Sequence, residues 1–246
     1  MANRIGIFSS FRGEPAPPEL ARSMERRRFL TAAAAGTLIF AMGGTYVLAS
    51  NDDPRAKQKR PDGRPRLPPG QRLLDALRPM GGEAGNPSPG GFKLKVYGDV
   101  DKPMEVDFAA LLAMPQTTQS CDVHCVTGWS VLDSKWTGVQ VSHLASLVQP
   151  KPGVRHVIFE AAHGYTANVR LDEAMKPNVL LAHKLGDAPI PRPHGPPVRA
   201  LVPDLYFWKS AKWLVGLRFL RTDQPGYWET RGYHNHADPW TEERYS

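Results

Sequence analysis

A chain of 246 residues that is 41% hydrophobic and 9% aromatic can bury a sizeable core, which excludes a disordered or fibrous protein. The formal charge of +7 is concentrated at one end: the first 50 residues carry 6 Lys+Arg against 3 Asp+Glu, while residues 51–246 carry 25 against 21. In that larger part Lys57, Lys59 and Arg60 form the one tight basic cluster and no basic stripe is interleaved with aromatics, so no nucleic-acid partner is expected.

Residues 24–50, MERRRFLTAAAAGTLIFAMGGTYVLAS, set Arg26, Arg27 and Arg28 ahead of Phe29 and Leu30, and an uncharged run follows to Ser50. The stretch resembles a twin-arginine export signal, in which Arg-Arg-x-Phe-Leu precedes an apolar segment, and this implies export of a folded protein by the Tat machinery. An apolar run of about 20 residues also suffices to span a bilayer. With arginines on its N-terminal flank, either reading leaves the body outside the cytoplasm, periplasmic or anchored to the outer face of the cytoplasmic membrane. Residues 1–50 are therefore expected to be an N-terminal extension with a signal or anchor. Val47-Leu48-Ala49 offers a weak cleavage site, and Met24 is an alternative start.

Residues 51–75 are charged and Pro-rich, a linker by composition, and residues 76–246 form the expected folded domain. FKLKVYGDV (92–100) alternates apolar and polar residues into a Gly-Asp turn, the pattern of a strand. VDFAALLAM (106–114) predicts a short helix capped by Asp107 and stopped by Pro115. VSHLASLVQP (141–150) predicts another, with Ser142 as cap and Pro150 as stop. Further strands are predicted at 156–162, 166–171, 198–203 and 212–220. With 24 Pro and 22 Gly punctuating short apolar runs, the predicted class is α+β, with mixed or mainly antiparallel sheet and short helices at its edges. The aromatics of the tail, GYWETRGYHNHADPWTEERYS, predict packing on the body.

The two cysteines, Cys121 and Cys125, stand in CDVHCVTGWS. In a strand they would lie about 13 Å apart, beyond the limit of about 7 Å for a disulfide, so only a helix or tight turn would permit a bridge. Zinc would need a second ligand cluster; His163, His183, His194, His234 and His236 are loosely spaced, and no second cysteine pair exists. The remaining reading is one thiolate on a soft metal whose other ligands come from elsewhere.

CVTGWS, followed by Trp136-Thr137-Gly138-Val139, resembles the molybdenum-cysteine segment of the sulfite oxidase superfamily, above all its small bacterial periplasmic members. HGPPVRALVPDLYFWKSAKWLVGLRFL (194–220) is similar to the same family's pterin-binding stretch, matched at His194, Gly195, Pro197, Arg199 and Lys212. Together the segments imply a sulfite oxidase-like molybdopterin-binding fold and a molybdenum–molybdopterin cofactor. The resemblance makes Cys125 the metal ligand and gives Arg199 and Lys212 the cofactor's phosphate. His194 would meet pterin edge atoms, Ser210 and Ala211 would lend hydroxyl or backbone contacts, and Ala161 would do so through main chain. His163 or Tyr165 would approach the metal. His183 occupies the place of a substrate-side tyrosine in vertebrate-type members, a departure that weakens sulfite as substrate; it and Tyr165 are the candidate catalytic side chains. Cys121 falls outside the motif.

The resemblance spans roughly residues 90–220 and implies an oxidoreductase moving one oxygen atom and two electrons at molybdenum, with a small molecule as oxo donor or acceptor. Lacking a haem domain in its matched part, the chain looks like a reductase of S- or N-oxides fed by a membrane cytochrome. Sulfite oxidation with a soluble cytochrome c as electron partner is the alternative within the class. A non-catalytic anchored binding domain on the same fold is the alternative outside it.

Overall fold

In the computed structural model, which describes residues 53–82 and 85–246, alternation of side chains produces two sheets. The twin-arginine segment and its apolar run lie outside the described residues, and among the described residues no helix is long and apolar enough to cross a membrane. In chain order the strands are β1 (Arg72–Leu73), β2 (Lys93–Gly98), β3 (Met104–Asp107), β4 (Thr117–Cys125), β5 (Trp129–Gln140), β6 (His156–Ala161), β7 (Thr166–Arg170), β8 (Leu180–Leu185), β9 (Ala188–Pro189), β10 (Arg199–Leu201) and β11 (Leu214–Leu220). Short helices α1 (Phe108–Ala113), α2 (Val141–Val148) and α3 (Leu171–Ala174) interrupt them. One sheet runs β1-β5-β8-β10, with β4 added on β5 and β9 on β8; the other runs β3-β2-β11-β6-β7. Pairing is antiparallel except for β1 with β5 and β11 with β2. This is the α+β class with mixed sheets expected from the sequence.

The main core takes alternate residues from both sheets: Leu94, Val96, Phe159 and Phe219 from the second, Val139, Leu181 and Ala200 from the first. Helix α2 adds Val141, Leu144, Ala145 and Val148, the i, i+3, i+4, i+7 stripe of one helix face. Each Val, Leu or Phe among them contributes about 1.5–3 kcal/mol on burial. Asp107 caps α1 as its position predicts, accepting the Ala110 N–H at 2.8 Å. Ser142 does not cap α2. Strand β5 runs straight into that helix with Gln140 at the cap position, and the Val141 N–H is satisfied by the Val179 carbonyl at 3.1 Å.

The segment 53–75 departs from the linker expected of its composition. Its arginines are paired with carboxylates of the body: Arg60 with Asp204 at 2.5 Å, Arg66 with Asp122 at 2.5 Å and Asp133 at 2.6 Å, Arg64 with Asp238 at 3.1 Å. Ala56 and Leu73 bury against Leu132, and β1 adds a parallel strand to β5. The segment is a strap across the first sheet. The tail packs as well, with the Tyr206 N–H donating to the Ala237 carbonyl at 2.8 Å.

The first sheet's other face, away from the main core, carries Trp136, Leu180, Ala182 and Leu201, then Val123, Cys125, Trp129 and Val131. Phe207 and Leu77 lie against both groups and join them into one surface.

Candidate functional site

Strand β4 delivers Cys125 to a tight turn: the Gly128 N–H donates to the Cys125 carbonyl at 3.0 Å, and β5 begins at Trp129, directly opposite Cys125. Gly128 sits at φ 85°, a conformation that glycine adopts without steric cost, so the glycine of CVTGWS is what returns the chain on itself. Cys125 is 5% exposed, with Sγ 3.2 Å from Thr127 Oγ1. Burial pushes its thiol up, opposed by the Thr127 hydroxyl and backbone N–H and by the Arg244 charge. Such a sulfur keeps its proton until a metal cation displaces it. Cys121 and Cys125 are both free thiols along the extended β4, so the pair forms no disulfide. Among the described residues no group of three His, Cys, Asp or Glu side chains could hold a metal ion by itself, and Cys125 stands as a single soft donor.

On the same face, β10 presents Arg199. Its guanidinium is 1% exposed and donates to the carbonyls of Ala200 at 3.1 Å, His194 at 3.0 Å and Ser210 at 2.7 Å, between the rings of Phe207 at 4.2 Å and Trp136 at 5.4 Å. Among the described residues no carboxylate pairs with it, and burial pulls its pKa down to about 9. Lys212 is built alike: Nζ donates to the carbonyls of Met80, Gly81 and Pro193 at 2.7, 2.5 and 3.1 Å, without an acidic partner among the described residues. Burial, then Arg199, brings its pKa to about 8. His194 precedes Gly195, whose φ of 95° and close approach leave no room for a side chain; a Cβ there would lie 2.5 Å from Lys212 Cβ. Burial, Arg199 and Lys212 all push the His194 pKa down. Ser210 Oγ accepts the Val202 N–H at 2.9 Å and the Ala211 carbonyl accepts the Ala200 N–H at 2.8 Å, so both brace Arg199 within the sheet.

Other expected residues stand further from this arrangement. Ala161 pairs with Leu214 at the start of β11, and the next residue donates its N–H to the Trp213 carbonyl at 3.0 Å, which sets that turn beside Lys212. His163 is exposed in the turn at φ 60°. The Tyr165 hydroxyl donates to the Trp208 carbonyl at 2.5 Å, and burial drives its pKa well up. His183 lies on the inner face of β8, Nε2 2.9 Å from Gln116 Oε1 and its ring edge-on to Phe108 at 6.1 Å. Alternation along the strand points it away from the face that holds Ala182 and Trp136. Thr127, Gln71 and Arg244 surround Cys125 without having been assigned a part in the sequence reading. Thr127 stands inside CVTGWS and was open to notice; no local pattern marks the other two.

A molybdopterin brings a phosphate, a flat polar pterin and sulfur-bound molybdenum, so its site needs cations without competing acids, free donors and a thiol. Arg199 and Lys212 supply the first. The buried indole N–H groups of Trp136 and Trp213, on the rings beside those two cations, have no acceptor among the described residues and supply the second. Cys125 supplies the third, and the residues fit the group.

The sequence profile of the oxidoreductase molybdopterin binding domain matches residues 83–228. Uncharacterized oxidoreductase YuiH of Bacillus subtilis (strain 168) is 43% identical over 155 residues, which is 63% of this chain and 78% of that protein. The protein-methionine-sulfoxide reductase catalytic subunit MsrP of Burkholderia mallei (strain ATCC 23344) is 30% identical over 177 residues, 63% of this chain and 53% of MsrP, so the chain spans about half of that relative. The crystal structure of the sulfane dehydrogenase SoxCD from Paracoccus pantotrophus superposes with a TM-score of 0.55 at 21% identity, covering 64% of this chain and 46% of that one, a likeness of fold. Two cations without an acidic partner among the described residues and a buried thiol on a sulfite oxidase-like fold, inside the matched span, lead to one conclusion: the chain belongs to the oxidoreductase molybdopterin binding domain family of the sulfite oxidase superfamily, enzymes whose cofactor is a molybdenum–molybdopterin.

Proposed function

We propose that this oxidoreductase reduces a small S- or N-oxide, with molybdenum held by the Cys125 thiolate. The observation that carries the cofactor's placement is Arg199, a buried guanidinium facing three carbonyls and no carboxylate on the face that also holds Cys125. When bound, the cofactor supplies two-electron oxygen-atom exchange. Cys125 fixes the metal's position, Arg199 and Lys212 neutralise the phosphate, and His194, Ser210, Ala211 and Ala161 line the pterin's path. His163 lies at the rim of that path. Tyr165 and His183 contribute by holding Trp208 and Gln116 in place. The direction is supported by the likeness to MsrP, named for methionine-sulfoxide reduction, and by the leader, whose twin-arginine pattern suits a protein exported with its cofactor. Electrons would then come from a membrane cytochrome or a soluble cytochrome c outside the cytoplasm.

Dye-linked assays on the full chain with methionine sulfoxide, amine oxides and sulfite test this directly. Wild-type protein is expected to contain about one molybdenum per chain and to reduce S- or N-oxides faster than it oxidises sulfite, with Cys125→Ser inactive. Faster sulfite oxidation overturns the direction, and an active Cys125→Ser protein overturns the ligand assignment.

A further inference from the structure

The strap and the tail lie largely outside the span matched by the family profile, yet both end on the cysteine turn. From the strap, Gln71 Nε2 donates to the Cys125 carbonyl at 3.2 Å, and Gln71 Oε1 accepts from Ser130 Oγ at 3.3 Å, which in turn lies 2.8 Å from His124 Nδ1. The Arg72 N–H donates to the Gly128 carbonyl at 3.1 Å. From the tail, Arg244 Nη1 donates to the Val126 carbonyl. Consecutive carbonyls of the turn, those of Cys125 and Val126, are thus each gripped by a side chain from a different end of the described chain.

The two segments are also fastened to each other. Trp240 lies between the guanidinium groups of Arg60 and Arg64, 4.2 and 4.1 Å from its ring centre, and its indole N–H donates to the Pro65 carbonyl at 2.7 Å. The edge of His124 meets the same ring at 5.0 Å. Arg244 passes so close to Gly70 that a Cβ there would stand 3.2 Å from Nη2.

We infer that strap and tail form a clasp in which Arg244 is a positioning residue for Cys125, fixing the turn so that the sulfur presents one direction to a metal. This rests on the proposed ligand role of Cys125. The physical reason is general: a donor atom tunes its metal only while its own backbone is held, and a turn with loose carbonyls samples several sulfur positions. Gln71 is 4% exposed and the Arg244 side chain 19% exposed, so both bonds are shielded from competing water.

Alkylation of the full chain, produced without cofactor, reads the clasp without any enzyme assay. Arg244→Ala is expected to speed labelling of Cys125 about tenfold, because local opening of the turn outweighs the loss of a cation that favours the thiolate, while Cys121 labels at its wild-type rate. Arg244→Lys, which keeps a cationic donor, is expected to stay within about threefold of wild type. Should Arg244→Ala not fold, Gln71→Leu is read in its place, with the same tenfold expectation. An unchanged Cys125 rate in a folded variant overturns the inference, as does an equal rise at Cys121, which would mean general loosening. In molybdenum-loaded protein the sulfur-to-metal absorption band is expected to shift in Arg244→Ala with the metal retained. A labelling change together with a band that Cys125→Ser leaves unaltered, the cofactor's own sulfurs then being its source, would leave the clasp standing and overturn the ligand role of Cys125 instead.

Discussion

Two buried cations ten positions apart, Arg199 and Lys209, have opposite surroundings. Lys209 is 0% exposed and completely answered: Glu229 Oε1 at 2.5 Å, Asn168 Oδ1 at 2.8 Å and the Asn235 carbonyl at 2.7 Å. Glu229 also accepts the Trp208 indole N–H at 2.8 Å, so this ion pair ties the segment after β10 to the tail. Arg199 has carbonyls and aromatic faces but no counter-charge. Burying a charge is costly unless it is paired, and among the described residues Lys209 has a carboxylate partner where Arg199 has none.

The contrast can be broken most sharply at Lys209. Replacing it by Met strands the Glu229 carboxylate, and chemical denaturation is expected to show a loss of about 3–5 kcal/mol whether or not cofactor is present. Arg199→Met is expected to cost the cofactor-free chain less than Lys209→Met does, because removing a buried charge that has no counter-ion offsets the loss of about 1–3 kcal/mol at each carbonyl left without its donor, while cofactor retention after gel filtration falls about tenfold or more. Equal stability losses at the two positions would erase the distinction. Lys212 sharpens it through pH. Its ammonium is lost as pH rises through about 8, so cofactor retention is expected to weaken above that value and to become flat with pH in Lys212→Gln. In the cofactor-free chain the sign reverses. A depressed lysine costs folding stability below about pH 8, and the cost fades as pH climbs toward the unfolded value. The smallest effect is expected at Cys121, where Ser changes stability by about 1 kcal/mol or less and leaves oxide reduction unaltered.

Much of the fold was legible because one face of a strand must be apolar. FKLKVY, HVIFEA and LVGLRFL announce β2, β6 and β11 by alternation, and Asp107 announces a helix start. Strands β4 and β5 were not marked as strands, since TTQSCDVHC is largely polar and its pairing partner WSVLDSKWTGVQ is apolar on both faces near its start. The strap read as a linker because composition cannot tell a solvated arginine from one paired with an aspartate 144 positions away. At the candidate site, short motifs singled out Cys125 at a turn, Arg199 at the start of β10 and Lys212 just before β11. His183 was placed by its position in a family segment, but strand pleat decides which face a side chain joins, and one step along β8 separates the two faces.

Trp240 reaches Pro65 across 175 positions and Arg64 reaches Asp238 across 174, contacts of very long sequence separation. Such loops close late, because their entropy must be overcome before any contact rewards it. During synthesis the hairpin bearing Cys125 can therefore form long before its clasp, and the cysteine turn reaches its final rigidity only after residues through Arg244 have been made. Final setting of the thiol is timed by the emergence of the tail.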